Sequence, residues 1–369
     1  MILAIDASRA VTTQRTGTEA YAYHLIRALL PLANANKHTV ILYFNQSPNS
    51  PISPSPHHAR MIPFPRLWTH IRLAAELHLH PPDVFFTPAH VIPFSYRGAA
   101  VATIHDLGYH YFPEAHTARQ VRQLTWSTRH NARRSRQVIV DSLATQRDLA
   151  QFYGISAEKI ITIYPGFDKQ LAPVHDQTML ERVQAKYQLT APYFLFLSTL
   201  QPRKNVSRIV TAFAQIADQL PQQLVLAGKQ GWLAQPLLAQ IAALPESVRR
   251  RIRLTGFIDD VDKAALLSGA TALVYPSQHE GFGFPVLEAQ ACGTPVLTAR
   301  NSSLIEVGGQ AVCFVEAGSV VQIATAMLKL AQHSAYREQL ITAGFANIKR
   351  FDWQVAAQQT LAVLEQVAA

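Results

Sequence analysis

The sequence predicts an α/β protein built from two doubly wound parallel sheets in tandem. Three observations carry this: short continuous apolar runs, helix-length periodic stretches between them, and a chain of 369 residues, long enough for about two cores of ordinary size. A short run that is apolar at every position reads as a strand buried on both faces, the mark of a parallel sheet covered by helices. With 49% apolar and 15% charged residues, the composition excludes disorder or a coiled coil as the main state.

The first series opens with a strand at 2–5, followed by a helix over 19–30 and strands at 39–43, 100–104 and 138–140. The second series has strands at 193–197, 223–227, 252–254, 272–275 and 295–298. Between them, Tyr164-Pro165-Gly166-Phe167-Asp168 interrupts both periods. The predicted domains are therefore 1–168 and 169–349. Residues 350–369 form a helix with apolar positions at Val355, Leu361, Val363 and Leu364. No strand is near enough in sequence for that helix to complete a βα unit, so it is expected to pack back towards the N-terminal domain. Open α/β sheets bind ligands beyond the carboxyl ends of their strands. With two such sheets, the site is expected in a cleft between them.

The chain carries 33 basic against 24 acidic residues, a net charge of +9, which favours anionic partners without choosing among them. Two cysteines, Cys292 and Cys313, argue against a disulfide scaffold and for a reducing compartment. Asp6 interrupts the apolar start and argues against a secretory signal, and no apolar run reaches the ~18 residues of a spanning helix. A cytoplasmic protein is expected, with contact at the inner face of a membrane as a second element of that reading.

Residues 280–288 are the most informative segment. Gly281 and Gly283 follow the strand at 272–275 and let the backbone approach a ligand. Pro285 suits the start of a helix, whose free amides suit a diphosphate. Glu280 precedes this turn and Glu288 is expected on the first helical turn, so both carboxylates can face one pocket. Phosphate repels carboxylates, so these acids are expected on neutral hydroxyls such as those of sugars. Glu288 near the positive end of the helix also has a purely structural reading. After the strand at 193–197 come Arg203 and Lys204, adjacent cations suited to a diphosphate or, read plainly, a solvated turn. His105-Asp106 follows the strand at 100–104, and Gly17-Thr18 precedes the first helix.

In this order, with Gly228-Lys229, Gly256-Phe257, Cys292-Gly293-Thr294-Pro295 and Ser302-Ser303 between and after them, the motifs resemble those of family 4 retaining glycosyltransferases. The resemblance covers nearly the whole chain. It implies the GT-B fold, two Rossmann-like domains facing across a cleft, and a nucleotide-sugar donor. It further implies that Glu280 holds donor-sugar hydroxyls, Glu288 the ribose, and Arg203 and Lys204 the leaving diphosphate without a metal or other cofactor. His105 would contact the donor sugar, Gly17 and Thr18 would lie against the phosphates, Lys229 and Phe257 near the base, and Gly281, Phe282 and Gly283 along the donor. Ser198 and Thr199 stand where the family often has glycine and arginine, which puts the charge on Arg203 and Lys204. The sequence 228–232 with the Phe282/Phe284 pair looks most like the mannosyltransferase branch, implying GDP-mannose and a glycan or lipid-linked glycan acceptor in polysaccharide assembly. A carbonyl near Phe257, or Asp259, would read guanine; a UDP-sugar remains the alternative donor.

Other readings are weaker. His78-Leu79-His80, His57-His58 and His279-Glu280 lack metal-ligand spacing. Residues 119–136 carry Arg119, Arg122, Arg129, Arg133, Arg134 and Arg136 with Trp126 and no acid. This stretch reads as a solvated helix first, a membrane or lipid-phosphate contact second, and nucleic acid last, so no nucleic-acid partner is expected. Phe64, Trp68 and Ile71 with Arg66 and Arg72 form an amphipathic stripe, either core or the flank of an acceptor groove. A sugar-nucleotide epimerase lacks a locatable acid–base set, and a non-catalytic binder has no use for the intact acids and cations.

Overall fold

The computed structural model describes residues 1–369 except Thr13, Gln14, Thr16, 48–57, His90 and Ala191, and of His58 the backbone alone. The expectation about His57-His58 therefore lies outside the described side chains. The chain forms two units: Met1–Leu107, Ala118–Gly166 and Phe351–Ala369 make one, Gly108–Thr117 and Phe167–Arg350 the other. The division falls after Gly166 rather than after 168, and the returning segment begins at Phe351. Residues 108–117, read from sequence as part of the first domain, belong to the second unit. Their partners are there: Tyr111 stacks on His279 at 4.9 Å, and the Trp232 indole donates to the Ala115 carbonyl.

The first unit contains, among the described residues, strands β1 (Ile2–Asp6), β2 (Thr39–Phe44), β3 (His58–Met61), β4 (Val84–Thr87), β5 (Ala100–Ile104), β6 (Gln137–Val140) and β7 (Ile160–Thr162). They lie in the order β3-β2-β1-β4-β5-β6-β7 with every pairing parallel. β4 and β5 are buried at every position, as continuous apolar runs require. Four strands of the molecule escape the sequence reading. β3 is only His-Ala-Arg-Met, too short and too weakly apolar to read as a strand, β7 and β13 are three residues each, and β4 sits in a Pro-flanked aromatic stretch.

The first helix runs Gly17–Ala35, longer than predicted, with Pro31 inside it. Proline removes one ladder hydrogen bond, but Leu29, Leu30 and Ala33 remain buried, so packing carries the helix through. The C-terminal helix Trp353–Ala368 packs on Gly17–Ala35. Its start is seated on Gly166, where a Cβ would come within 2.3 Å of the Trp353 nitrogen.

The second unit contains β8 (Tyr193–Leu197), β9 (Gln223–Ala227), β10 (Ile252–Gly256), β11 (Ala272–Tyr275), β12 (Val296–Ala299) and β13 (Cys313–Val315). All are parallel, in the order β10-β9-β8-β11-β12-β13. The strand order reverses between β8 and β11. Crossovers from these neighbours leave in opposite directions, and a crevice opens at their carboxyl ends. The loop after β8 is pinned there. The Leu200 amide donates to the Lys229 carbonyl, and the Gly231 amide to Leu200.

Gly228 permits this approach. It sits at φ +144°, and a Cβ would lie 1.9 Å from the Ser198 carbonyl oxygen. Gly228→Ala is expected to lower stability by about 1–3 kcal/mol from backbone strain alone, and by more if the two loops are forced apart. Urea unfolding checks this, and an unchanged midpoint would show that the loops separate freely.

Candidate active site

Pro202–Lys204 form a single tight turn after β8, ended by Asn205 at φ +65°. Asparagine tolerates this left-handed conformation better than most residues. Its side-chain amide donates to the Pro276 and Ala317 carbonyls at 2.9 and 2.7 Å, tying the loop after β8 to the loop after β11. The Arg203 carbonyl accepts from the Gln278 amide and the Ser277 hydroxyl. Both cations are consequently buried, each 8% exposed, which excludes the solvated-turn reading.

Facing them is Glu280, 6% exposed. Lys204 Nζ donates to Glu280 Oε1 at 2.6 Å and to the Tyr275 hydroxyl at 2.8 Å, and that hydroxyl donates to the same Oε1 at 2.7 Å. Arg203 approaches the other carboxylate oxygen at 3.5 Å and donates to the His279 carbonyl. Burial pushes the Glu280 carboxyl up, but Lys204 and Arg203 outweigh it and hold its pKa below the ordinary value. In the structure Glu280 is thus the counter-ion of the two cations, partners the sequence reading did not assign to it. Its backbone is fixed by Ser302, which accepts from the Glu280 amide, and Ser303, which donates to the Glu280 and Phe282 carbonyls.

Gly283 stands at φ +114° immediately before the helix Phe284–Ala291, with Pro285 in its first turn. A Cβ there would meet Leu304 at 2.9 Å. Glu288 is on the second turn, beyond the first-turn position expected. Its partner is Lys263, 3.2 Å away, and the Glu288 charge raises the Lys263 pKa. Lys229 lies over the Phe257 ring at 4.9 Å. Asp259, offered from sequence as a reader of guanine, instead accepts from Lys186 at 2.6 Å.

In the first unit, His105 follows β5. Its Nδ1 lies 2.6 Å from Asp141 Oδ2 and its Nε2 lies 2.8 Å from the Pro88 carbonyl. Both neighbours accept, so both ring nitrogens donate and the ring is imidazolium. Burial would push its pKa down, but Asp141 and the Pro88 carbonyl reverse this and raise it. Burial also pushes the Asp141 carboxyl up, and the His105 charge beside it pulls it back. Both ring nitrogens are thus engaged, and the His105 carbonyl accepts from the Thr145 hydroxyl at 3.2 Å. Gly17 is exposed, and Gly17 and Thr18 begin the first helix.

Sequence reasoning missed Tyr275, Asp141 and Lys263. The signal for the first two was a polar residue at, or just after, the carboxyl end of a buried strand. Lys263 carried no such signal, since its pairing across to Glu288 is a tertiary fact.

Two parallel sheets of this order, with paired cations and a carboxylate at a switch point, make a site suited to an anionic group such as a diphosphate. The solved sucrose-phosphate synthase of Thermosynechococcus elongatus shares this fold, with a TM-score of 0.78 at 21% identity over 100% of this chain and 99% of that one. The model described as glycosyl transferases group 1 matches residues 180–346, and that of glycosyltransferase family 4 matches 15–171. The O-antigen chain mannosyltransferase B of Escherichia coli is 30% identical over 266 residues, covering 71% of this chain and 69% of its own. A phosphatidyl-myo-inositol mannosyltransferase of Mycobacterium leprae is 31% identical over 172 residues, 46% of this chain and 44% of its own. The chain belongs to the family 4, group 1 glycosyltransferases.

Two predictions follow from these ion pairs. Lys204→Met leaves Glu280 buried with the longer Arg203 contact as its remaining cation, and is expected to cost up to about 3–5 kcal/mol in urea unfolding. Lys204→Met with Glu280→Leu should recover only part of that, because Arg203 then stays buried without its carboxylate. The Arg203/Lys204 pair therefore cannot be removed without touching stability. For His105, the raised folded-state pKa means its stabilisation is fully present below about pH 6.5 and is lost as pH rises through the folded value. The thermal midpoint should fall over that range, and Asp141→Asn should flatten this slope. Equal slopes in both proteins would contradict the charged pair.

Proposed function

We propose that this glycosyltransferase moves a mannosyl residue from GDP-mannose to a glycan or lipid-linked glycan in cell-surface polysaccharide assembly, with retention of anomeric configuration. The observation that carries the reading is the buried Arg203–Lys204–Glu280 cluster at the β8/β11 switch point. The printed activities of the Escherichia coli and Mycobacterium leprae relatives support mannose as the sugar.

Bond breaking leaves negative charge on the departing diphosphate and oxocarbenium character on the sugar. Arg203 and Lys204, preorganised and largely dehydrated, stabilise that charge as it develops, each worth about 2.7–4 kcal/mol. Glu280 holds the two cations in place before the donor arrives. When the diphosphate takes over the cations, the carboxylate becomes available to sugar hydroxyls. Lys263 orients Glu288 towards the ribose, and the Lys229–Phe257 pair flanks the base. The cations take the part a metal would play, so transfer should survive EDTA.

At matched concentration, GDP should raise the thermal midpoint more than UDP does, since stabilisation follows ligand concentration over its dissociation constant. The reverse order would replace mannose with a UDP-sugar and leave the glycosyltransferase assignment standing. Glu280→Gln removes the anion that competes with diphosphate. It should bind free GDP at least as tightly as the native chain while transfer falls on the order of 10²–10³-fold. Glu288→Gln should weaken GDP itself, and matching titration profiles for the two variants would refute the division of roles.

A further inference from the structure

Three segments of the first unit hold no acidic residue at all: 58–75, 84–105 and 118–140. They meet at one surface. Phe94 lies 4.3 Å from the His70 ring and 4.6 Å from Trp126, and Trp126 stacks on His130 at 5.3 Å. Leu67 and Ile71 flank His70 on the short helical turn where the Ile71 amide donates to the Leu67 carbonyl.

The apolar side chains here are exposed. Leu67 is 66% exposed, Ile71 and Phe94 48%, and Phe64 and Trp126 39%. Trp68, by contrast, is core, its indole donating to the Ile62 carbonyl at 2.7 Å, so the amphipathic stripe read from sequence divides between core and surface. Leu67 holds φ +55°, a conformation an aliphatic residue rarely adopts.

Around these side chains stand exposed Arg66, Arg97, Arg119, Arg122, Arg129 and Arg133. The neighbouring acid, Glu76, is buried and neutralised by Arg60 and Arg72 at 3.0 and 2.7 Å. Exposed aliphatic and aromatic groups set among arginines match an anionic bilayer on both counts. The apolar groups suit the boundary between headgroups and acyl chains, and guanidinium pairs with phosphate in two-pronged fashion. Nucleic acid would use the arginines and Trp126 but leave Leu67 and Ile71 in water. Among the described residues no helix is long and apolar enough to cross a membrane, so the contact is peripheral.

We propose that this face docks on an anionic phospholipid bilayer, with Phe64, Leu67, Ile71, Phe94 and Trp126 entering the interface and the arginines pairing with lipid phosphates. The proposal stands whichever nucleotide-sugar is the donor.

The test is co-sedimentation of the full chain with phosphatidylcholine vesicles, with and without phosphatidylglycerol. Binding is expected only with phosphatidylglycerol, and it should weaken about tenfold or more when salt is raised from roughly 0.1 M to 1 M. Leu67→Ser with Ile71→Ser should lower partitioning about tenfold or more while leaving the GDP-induced thermal shift unchanged. Should that variant fold poorly by circular dichroism, Arg119→Gln with Arg122→Gln, both fully surface substitutions, carries the same expectation. Tryptophan emission should shift to the blue on vesicles, and Trp126→Phe should abolish the shift. Equal binding to neutral vesicles, indifference to these substitutions, or binding to a DNA or RNA homopolymer in place of vesicles would each overturn the proposal.

Discussion

Two cations and a carboxylate withdrawn from water where the second sheet reverses its strand order are the constraint on which much else depends. Lys204, Arg203 and Glu280 are all less than a tenth exposed, and burying such charges is costly unless their geometry is held. The surrounding structure holds it. Asn205 takes a left-handed backbone to tie the β8 loop to the β11 loop, Ser302 and Ser303 fix the Glu280 backbone, and Tyr275 supplies a hydroxyl shared by lysine and carboxylate. A cluster of this kind contributes little net stability. What it supplies is two positive charges already dehydrated and aimed, which is the state a developing phosphate charge stabilises best.

The basic excess of the chain is thereby divided by environment. Arg203 and Lys204 are buried against a counter-ion, Arg134 spends its guanidinium on the Tyr96 and Gly98 carbonyls, and Arg136 donates to the Val367 carbonyl on the C-terminal helix. The remaining arginines of the 119–136 stretch face water. One compositional figure therefore covers chemical, structural and surface charge, and only position tells them apart. His105 shows the same division at a single residue. Its ring is engaged by Asp141 and Pro88, so its contribution is a fixed charge and a positioned backbone.

What the sequence determined was the sheet class, the main strands of both series and the charged residues that sit in the strand-following loops. Continuous apolar runs have only one way to be buried on both faces, and adjacent cations, paired glycines and a Pro-started helix are local signals. It could not reveal β3, β4, β7 or β13, because strands of three or four residues are too short to carry a pattern of their own and are made by their neighbours' hydrogen bonds. It placed Glu288 one turn too early and did not show that Glu280 pairs with Lys204, since an ion-pair partner more than seventy residues away leaves no local trace. It marked Gly228 but not its reason, which is the carbonyl of Ser198 pressed against it from another strand's loop. Tertiary structure alone decided which arginines are buried and which stripe residues face water, because burial depends on what the fold brings across from a distance.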